Sequence, residues 1–230
     1  MTTQEYLPAT KFEQNTSERS LSTERMGKIC ITLADICIQY AGVERVPRYH
    51  EHHRENDAEH SLMLGIVAVE LANELRPELD KGLISQYASV HDFPEICVGD
   101  TPTYNLSDQE LLDKHVREQD ALRQLIDILP PYTASLLVEY EAQVTPESVW
   151  TRSVDKVLPL AVDILGPGKM VMREDYGVTS VAKLLQNKQR LDSSMIRRFG
   201  EQTPEIVDLY QYLGDIFTRE FLSTETQIDN

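Results

Sequence analysis

Apolar residues recur along most of this chain at intervals of three and four, the spacing that lines one face of an α-helix. From Ser20 to Ala41 the positions Leu21, Ile29, Leu33, Ile36 and Tyr40 form one such stripe. The next stretch, Gly42 to Asp57, is polar and interrupted by Pro47, and reads as a loop. A helix is expected from about Ala58 to Leu75, with Met63, Leu64, Val67, Leu71 and Leu75 on its apolar face and Pro77 ending it. Another runs from Lys81 to about His91 on Leu83, Ile84, Tyr87 and Ala88, and Pro94 imposes a bend after it. Gly99 to Thr103 reads as a turn. Helical patterns then recur at about 107–129, 131–142, 146–165, 178–190 and 204–222, separated by Pro and Gly. No period-2 run and no internal repeat stands out. The pattern predicts an all-α, single-domain helical bundle over residues 18–223, with an N-terminal arm at 1–17 and a tail at 224–230.

Composition adds bounds. With 230 residues, 41% of them hydrophobic and 26% charged, the chain suffices for one sizeable core. No apolar run approaches the roughly 20 residues of a membrane span, and residues 1–20 carry no apolar leader, so a soluble cytoplasmic protein is expected. The formal net charge of −16 argues against a long nucleic acid as partner, because such binding neutralises phosphates with Lys and Arg. A small phosphorylated ligand stays compatible where a metal or a local basic cluster supplies the positive charge. Cys30, Cys37 and Cys97 make no disulfide framework and no CxxC pair; Cys30 and Cys37, seven apart on an apolar pattern, read as small core residues.

The informative feature is where certain polar residues fall. His60 extends the 58–75 stripe backwards by three and four residues, so it points inward. The stripe of the next helix lands on His91, Asp92 follows it, and Glu95 stands three and four residues further on. Leu158, Val162 and Leu165 run back to Asp155, whose carbonyl loses its usual helical partner to Pro159. Any one of these has an ordinary reading as a core histidine or a capping aspartate. Two His and two Asp on the inner faces of three helices would be costly to bury unless something satisfies them together, and a divalent cation does so. Mixed His/Asp ligation suits manganese, cobalt, iron, nickel or zinc better than calcium. Four protein ligands leave positions open for water and a phosphate oxygen. Glu95, just outside, is placed to orient that water or to protonate a leaving oxygen. The tract His50-Glu51-His52-His53 does not fit the HExxH pattern, since Arg54 stands where the second His belongs, and it reads as solvated loop. The lone Trp150 reads as packing.

The ordered set Glu59-His60, His91-Asp92-Phe93-Pro94-Glu95, Gly99-Asp100 and Asp155 resembles the H…HD…D signature of HD-domain phosphohydrolases. Its longer form, EH…HDxxE…GD, resembles the branch containing the 5′-deoxynucleotidases. Arg45-Val46-Pro47, Glu55-Asn56 and Lys114-His115 with Glu118 and Ala121 add to the likeness, which covers about residues 25 to 165. Val46 departs from it, standing where those enzymes often carry a large aromatic residue, and the chain after Leu165 does not clearly match the family's tail.

The resemblance implies an all-α bundle, a homodimer, and one divalent metal (Mn, Co, Zn, Ni, Fe or Mg) held by His60, His91, Asp92 and Asp155. It implies Glu95 as the catalytic carboxylate, Asp100 near the sugar and Arg45 on the phosphate; each of the last two also has a plain reading as a turn or loop residue. Lys114 reads either as a solvated helix residue or as a substrate contact. The activity so implied is a 5′-nucleotidase acting on (deoxy)nucleoside 5′-monophosphates, a small-molecule substrate. Its rivals are an HD hydrolase of nucleoside di- or triphosphates or of a modified nucleotide, and a non-catalytic metal- or nucleotide-binding dimer. More basic residues near the site would mark a triphosphate; besides Arg45 the visible candidates are Arg48, Arg54, Lys114 and Arg117, which favours a monophosphate.

Overall fold

The computed structural model describes residues 22–50, 53–101, 104, 106 and 108–225. The expected arm at 1–17 lies outside the described residues, as does the tail beyond 225. The chain runs α1 (Thr23–Tyr40), β1 (Glu44–His50), β2 (His53–Asn56), α2 (Asp57–Leu75), α3 (Lys81–Val90), α4 (Glu95–Val98), α5 (Asp108–Ile128) and α6 (Pro131–Ala142). It continues through α7 (Pro146–Asp155), α8 (Leu158–Leu165), α9 (Gly168–Glu174), α10 (Val181–Phe199) and α11 (Pro204–Glu225). The expected helical bundle is what forms.

Local chemistry explains the helix starts. Asn56 caps α2 in a capping box: its side chain accepts from the Glu59 N–H while Glu59 accepts from the Asn56 N–H. Asp80, Thr145 and Ser180 cap α3, α7 and α10 more simply, each side-chain oxygen accepting one backbone N–H of the first turn.

Four expectations are corrected. The stretch 42–57 is not a loop but an antiparallel hairpin, pairing Glu44 with Asn56 and Arg48 with Arg54 across register shifts that accommodate Pro47. The expected 146–165 helix is two helices: Pro159 has no N–H to give Asp155, so α7 ends at Asp155 and α8 restarts at Leu158 with the proline in its first turn. Leu165, expected in the core stripe, is 87% exposed. Cys30 and Cys37 are exposed, because α1 buries the Ile36–Tyr40 face and each cysteine sits one residue, about 100°, around from it. The extra helix α9 and the extension of α10 to Phe199 were not legible in the apolar pattern.

The main core joins α2, α3, α7, α8, α10 and α11 around Leu64, Ile84, Trp150, Val154 and Ile206. A second cluster packs α1, α3, α5 and α6 around Tyr87, Leu125 and Tyr140. Trp150 is fully buried and donates its indole N–H to the Ala68 carbonyl at 2.9 Å, which bears out the packing role. Among the described residues no helix is long and apolar enough to cross a membrane.

Candidate active site

The capped start of α2, the end of α3 and the end of α7 meet between the two main cores. They bring His60, His91, Asp92 and Asp155 together, with one donor atom of each within 4.8 Å of the others. His60 Nδ1 lies 2.8 Å from Glu55 Oε1 and its Nε2 lies 2.9 Å from Asp155 Oδ1. His91 gives its Nδ1–H to the Ala88 carbonyl at 2.9 Å, which turns Nε2 inward. There Nε2 sits 2.9 Å from Asp92 Oδ2 and 3.8 Å from Asp155 Oδ1, without the alignment of a hydrogen bond.

The electrostatics follow from that packing. Burial, then Arg45, act to lower the His60 pKa, yet contacts with Asp155 and Glu55 outweigh them and the net direction is up. Burial opposes ionisation of Asp92 and Asp155 too. His91 and Arg45 nonetheless hold Asp92 well below the usual carboxylate range, and Lys156 and the histidines do the same for Asp155. Two ring nitrogens thus converge on two ionised carboxylates, and the His91 Nε2 is buried with no hydrogen-bond partner. A divalent cation fits this donor set, since it satisfies all four groups at once.

Arg45, from β1, reaches into the same region and is nearly buried. Its guanidinium lies 3.1 Å from Glu55, 3.0 Å from Asp57, 2.8 Å from Asp92 and 3.7 Å from Glu95. Glu95, at the start of α4, is 3.5 Å from Lys114 Nζ, which also binds Glu118 at 2.5 Å. Burial, then the charges of Asp92 and Asp100, push the Glu95 carboxyl up to about 10. A cavity of about 410 Å³ opens here, with Arg45, His91, Asp92, Glu95, Asp100 and Lys114 among its lining residues. The structure therefore brings the four expected metal ligands, Glu95, Asp100, Arg45 and Lys114 to one place: His60 behind the wall, the rest on it.

Other residues of the site were not foreseen. Glu55 stands behind His60 and Arg45, and Asp57 behind Arg45; in the sequence Glu55 enters only through the family resemblance. Arg152, Lys156, Asp163 and Arg198 also line the cavity. Lys156 follows Asp155 directly and Arg152 precedes it by one turn, so a helical projection of α7 contains the signal. Arg198 sits on α10, whose placement the sequence pattern did not disclose. Conversely Arg48 and Arg54, counted as site candidates, turn to Asp175 at 2.6 and 2.7 Å, and His53 stacks on Tyr49 and contacts Glu59 instead. Glu51 and His52 of the histidine tract lie outside the described residues.

A family model described as HD domain matches residues 42–196. The 5′-deoxynucleotidase hdd1 of Schizosaccharomyces pombe is 34% identical over 111 residues, covering 44% of this chain and 53% of that protein. The 5′-deoxynucleotidase HDDC2 of Homo sapiens is 30% identical over 124 residues, 50% of this chain and 58% of that protein. The chain thus spans little more than half the length of the curated relatives it matches. Among solved structures, one described as a predicted metal-dependent phosphohydrolase from Magnetospirillum magnetotacticum MS-1 shares the fold. It has a TM-score of 0.65 at 24% identity, over 85% of this chain and 93% of that one. A conserved hypothetical protein from Pyrococcus furiosus aligns with a TM-score of 0.50 at 25% identity, over 78% of this chain and 99% of that one.

Proposed function

The chain belongs to the HD-domain family, and from that premise we propose that it is a metal-dependent phosphohydrolase releasing phosphate from (deoxy)nucleoside 5′-monophosphates. The observation that carries the reading is the convergence of two histidines and two aspartates beside a buried glutamate, an arginine and a lysine on one cavity. The names of the curated relatives support the nucleotide part of it.

In this reading His60, His91, Asp92 and Asp155 would hold one divalent ion. When bound, the ion supplies an acidified water and polarises a phosphoryl oxygen. The rest is the work of side chains. Glu55 and the Ala88 carbonyl orient the two imidazoles by engaging their Nδ1 atoms. Arg45 offers a forked guanidinium to phosphate oxygens, although four carboxylates now share it; a phosphate would compete with them for its N–H groups. Lys114 adds a second positive charge and holds Glu95 in position. Glu95 carries or accepts the proton that the reaction moves at the leaving oxygen or the attacking water. Asp100, on the cavity wall after the Gly99 turn, accepts a hydrogen bond from a sugar hydroxyl.

A second reading, hydrolysis of nucleoside di- or triphosphates, draws support from the guanidiniums of Arg152 and Arg198 on the same cavity. The test is phosphate release by chelator-stripped protein from deoxy- and ribonucleoside mono-, di- and triphosphates, with manganese, cobalt, magnesium or zinc restored singly. Metal-dependent orthophosphate release from deoxynucleoside monophosphates is expected. No release from any nucleotide by metal-loaded protein would refute the proposal.

A further inference from the structure

Two groups of ligand-type side chains are gathered at the site, not one. Beside the His60–His91–Asp92–Asp155 cluster, one oxygen each of Asp57, Asp92 and Glu95 lie within 4.8 Å of one another. Asp57 is fully buried and Glu95 is 6% exposed. The groups meet at Asp92, whose Oδ2 is 2.9 Å from His91 Nε2 and 2.8 Å from Arg45 Nη1. Carboxylates this close and this dry repel one another unless a cation stands among them.

Here that cation is Arg45. Its Nη1 is 3.0 Å from Asp57 Oδ1, 2.8 Å from Asp92 Oδ2 and 3.7 Å from Glu95 Oε2, so one nitrogen faces all three acids. The backbone sets this up. The Asp57 N–H donates to the Val43 carbonyl at 3.1 Å, which fastens the chain just before β1 to the first turn of α2. The capping box of Asn56 and Glu59 holds that turn, and Glu95 opens α4. The match is incomplete, however. Asp57 Oδ2 and Glu95 Oε2 are buried with no hydrogen-bond partner, and the single guanidinium charge is also shared with Glu55 at 3.1 Å. Three buried carboxylates with acceptor oxygens left over are a donor set for a hard divalent ion such as magnesium or manganese.

We propose that Asp57, Asp92 and Glu95 form a second cation site, which this chain fills with its own Arg45. The guanidinium stands where a second divalent ion would join the first through Asp92, and so keeps the centre mononuclear. An ion needs its oxygens at about 2.0–2.2 Å, and a nitrogen already set among the three acids denies it that approach. In two-metal sites the ions, roughly 3.5–4 Å apart, clamp the reacting group from two sides. Arg45 supplies the second charge in a form that no chelator removes. The inference deepens the metal-dependent reading and rests on it for the first ion, but not for the site that Arg45 fills.

The test counts ions. Manganese is titrated into chelator-stripped wild type, Arg45→Ala, the double variant Arg45→Ala/Asp57→Asn, and Arg123→Ala, which removes an exposed charge on α5. Bound manganese per chain is measured by elemental analysis, and its electron paramagnetic resonance spectrum is recorded. Wild type and Arg123→Ala should hold the same number of ions. Arg45→Ala should hold one more, and the sharp hyperfine pattern of an isolated ion should give way to the broad spectrum of a coupled pair. The added Asp57→Asn should abolish both the extra ion and the coupling. Acids are plentiful on a chain of net charge −16, so the coupling is what tells a built site from stray surface binding. Arg45→Ala should also melt below wild type without metal and gain more from excess manganese. Equal counts in wild type and Arg45→Ala, an extra ion uncoupled from the first, or a coupled pair already in wild type overturns the proposal. So does an Arg45→Ala protein that excess manganese fails to fold. A wild type that binds no manganese and releases no phosphate from any nucleotide defeats the metal-dependent reading instead. A single ion gained by Arg45→Ala and lost again with Asp57→Asn would then still decide the second site.

Discussion

Glu95 shows how a single side chain takes its character from its surroundings. Buried beside Asp92 and Asp100, its carboxyl is pushed up to about 10, far from an ordinary glutamate, and Arg45 and Lys114 are the charges that oppose this. Glu95→Gln should keep its metal by elemental analysis and lose about 10²–10⁴-fold in turnover; undiminished turnover would remove it from the mechanism. Asp163 makes a stability argument of the same kind. Burial and then Glu55 push it up from 3.8 to about 7, and its Oδ1 has no hydrogen-bond partner. Because the folded form holds the proton more tightly than the unfolded chain, stability falls as pH climbs from about 4 toward 7 and levels off above it, at a cost on the order of a few kcal/mol. Asp163→Asn should therefore melt above wild type at pH 8, with the gap closing toward pH 4. A gap independent of pH would contradict this. Single residues were the most legible level of the sequence: His60, His91 and Asp92 betray themselves because polar groups on an apolar stripe need a partner.

Elements were legible where one side chain pattern governs them and obscure where packing does. The helices α2 and α3 have clear stripes and strong caps, and their ends agree with expectation to within a residue or so. The β1–β2 hairpin has no alternation to read, because Pro47 and the register shifts break it, and its residues Arg45 and Glu55 are buried by the site rather than by a sheet face. Its outer end is tied to α9 through Arg48 and Arg54 on Asp175. Exposed pairs of this sort contribute little stability, about 0–1 kcal/mol each. Asp175→Ala should accordingly leave the melting temperature within a few degrees while raising KM, if the hairpin's seat positions Arg45; steady-state kinetics beside a melt would tell. Helix α7 carries heavier weight through Trp150, which packs in the main core. Trp150→Ala should cost about 3–5 kcal/mol in urea unfolding, and a loss below 1 kcal/mol would contradict its place there.

At the scale of the molecule, the metal cluster is made by α2, α3 and α7, which otherwise share only a core, so the ion would bind elements far apart in sequence into one unit. Ligand held only by the folded state stabilises it by about 2.7 kcal/mol at a hundredfold excess over Kd, which for a chain of this length is roughly 5–10 °C in Tm. Removal of metal should lower Tm by that order, its return should restore it, and His60→Ala should abolish the response in differential scanning calorimetry. This organisation could not be read from the sequence, because neither the seat of α10 over the cavity nor the fold of α9 leaves a mark on the apolar spacing. The same global arrangement has a weak point remote from any reactive group. At Gly166, after α8, the carbonyl oxygen of Arg48 occupies the place of a side chain, 2.2 Å from where a Cβ would stand, with the Val162 carbonyl at 3.0 Å. Both neighbours are backbone and neither yields cheaply. A single added methyl there must move the strand that carries Arg45. Position 166 is thus where one added carbon reaches the site from outside it, for reasons of room alone.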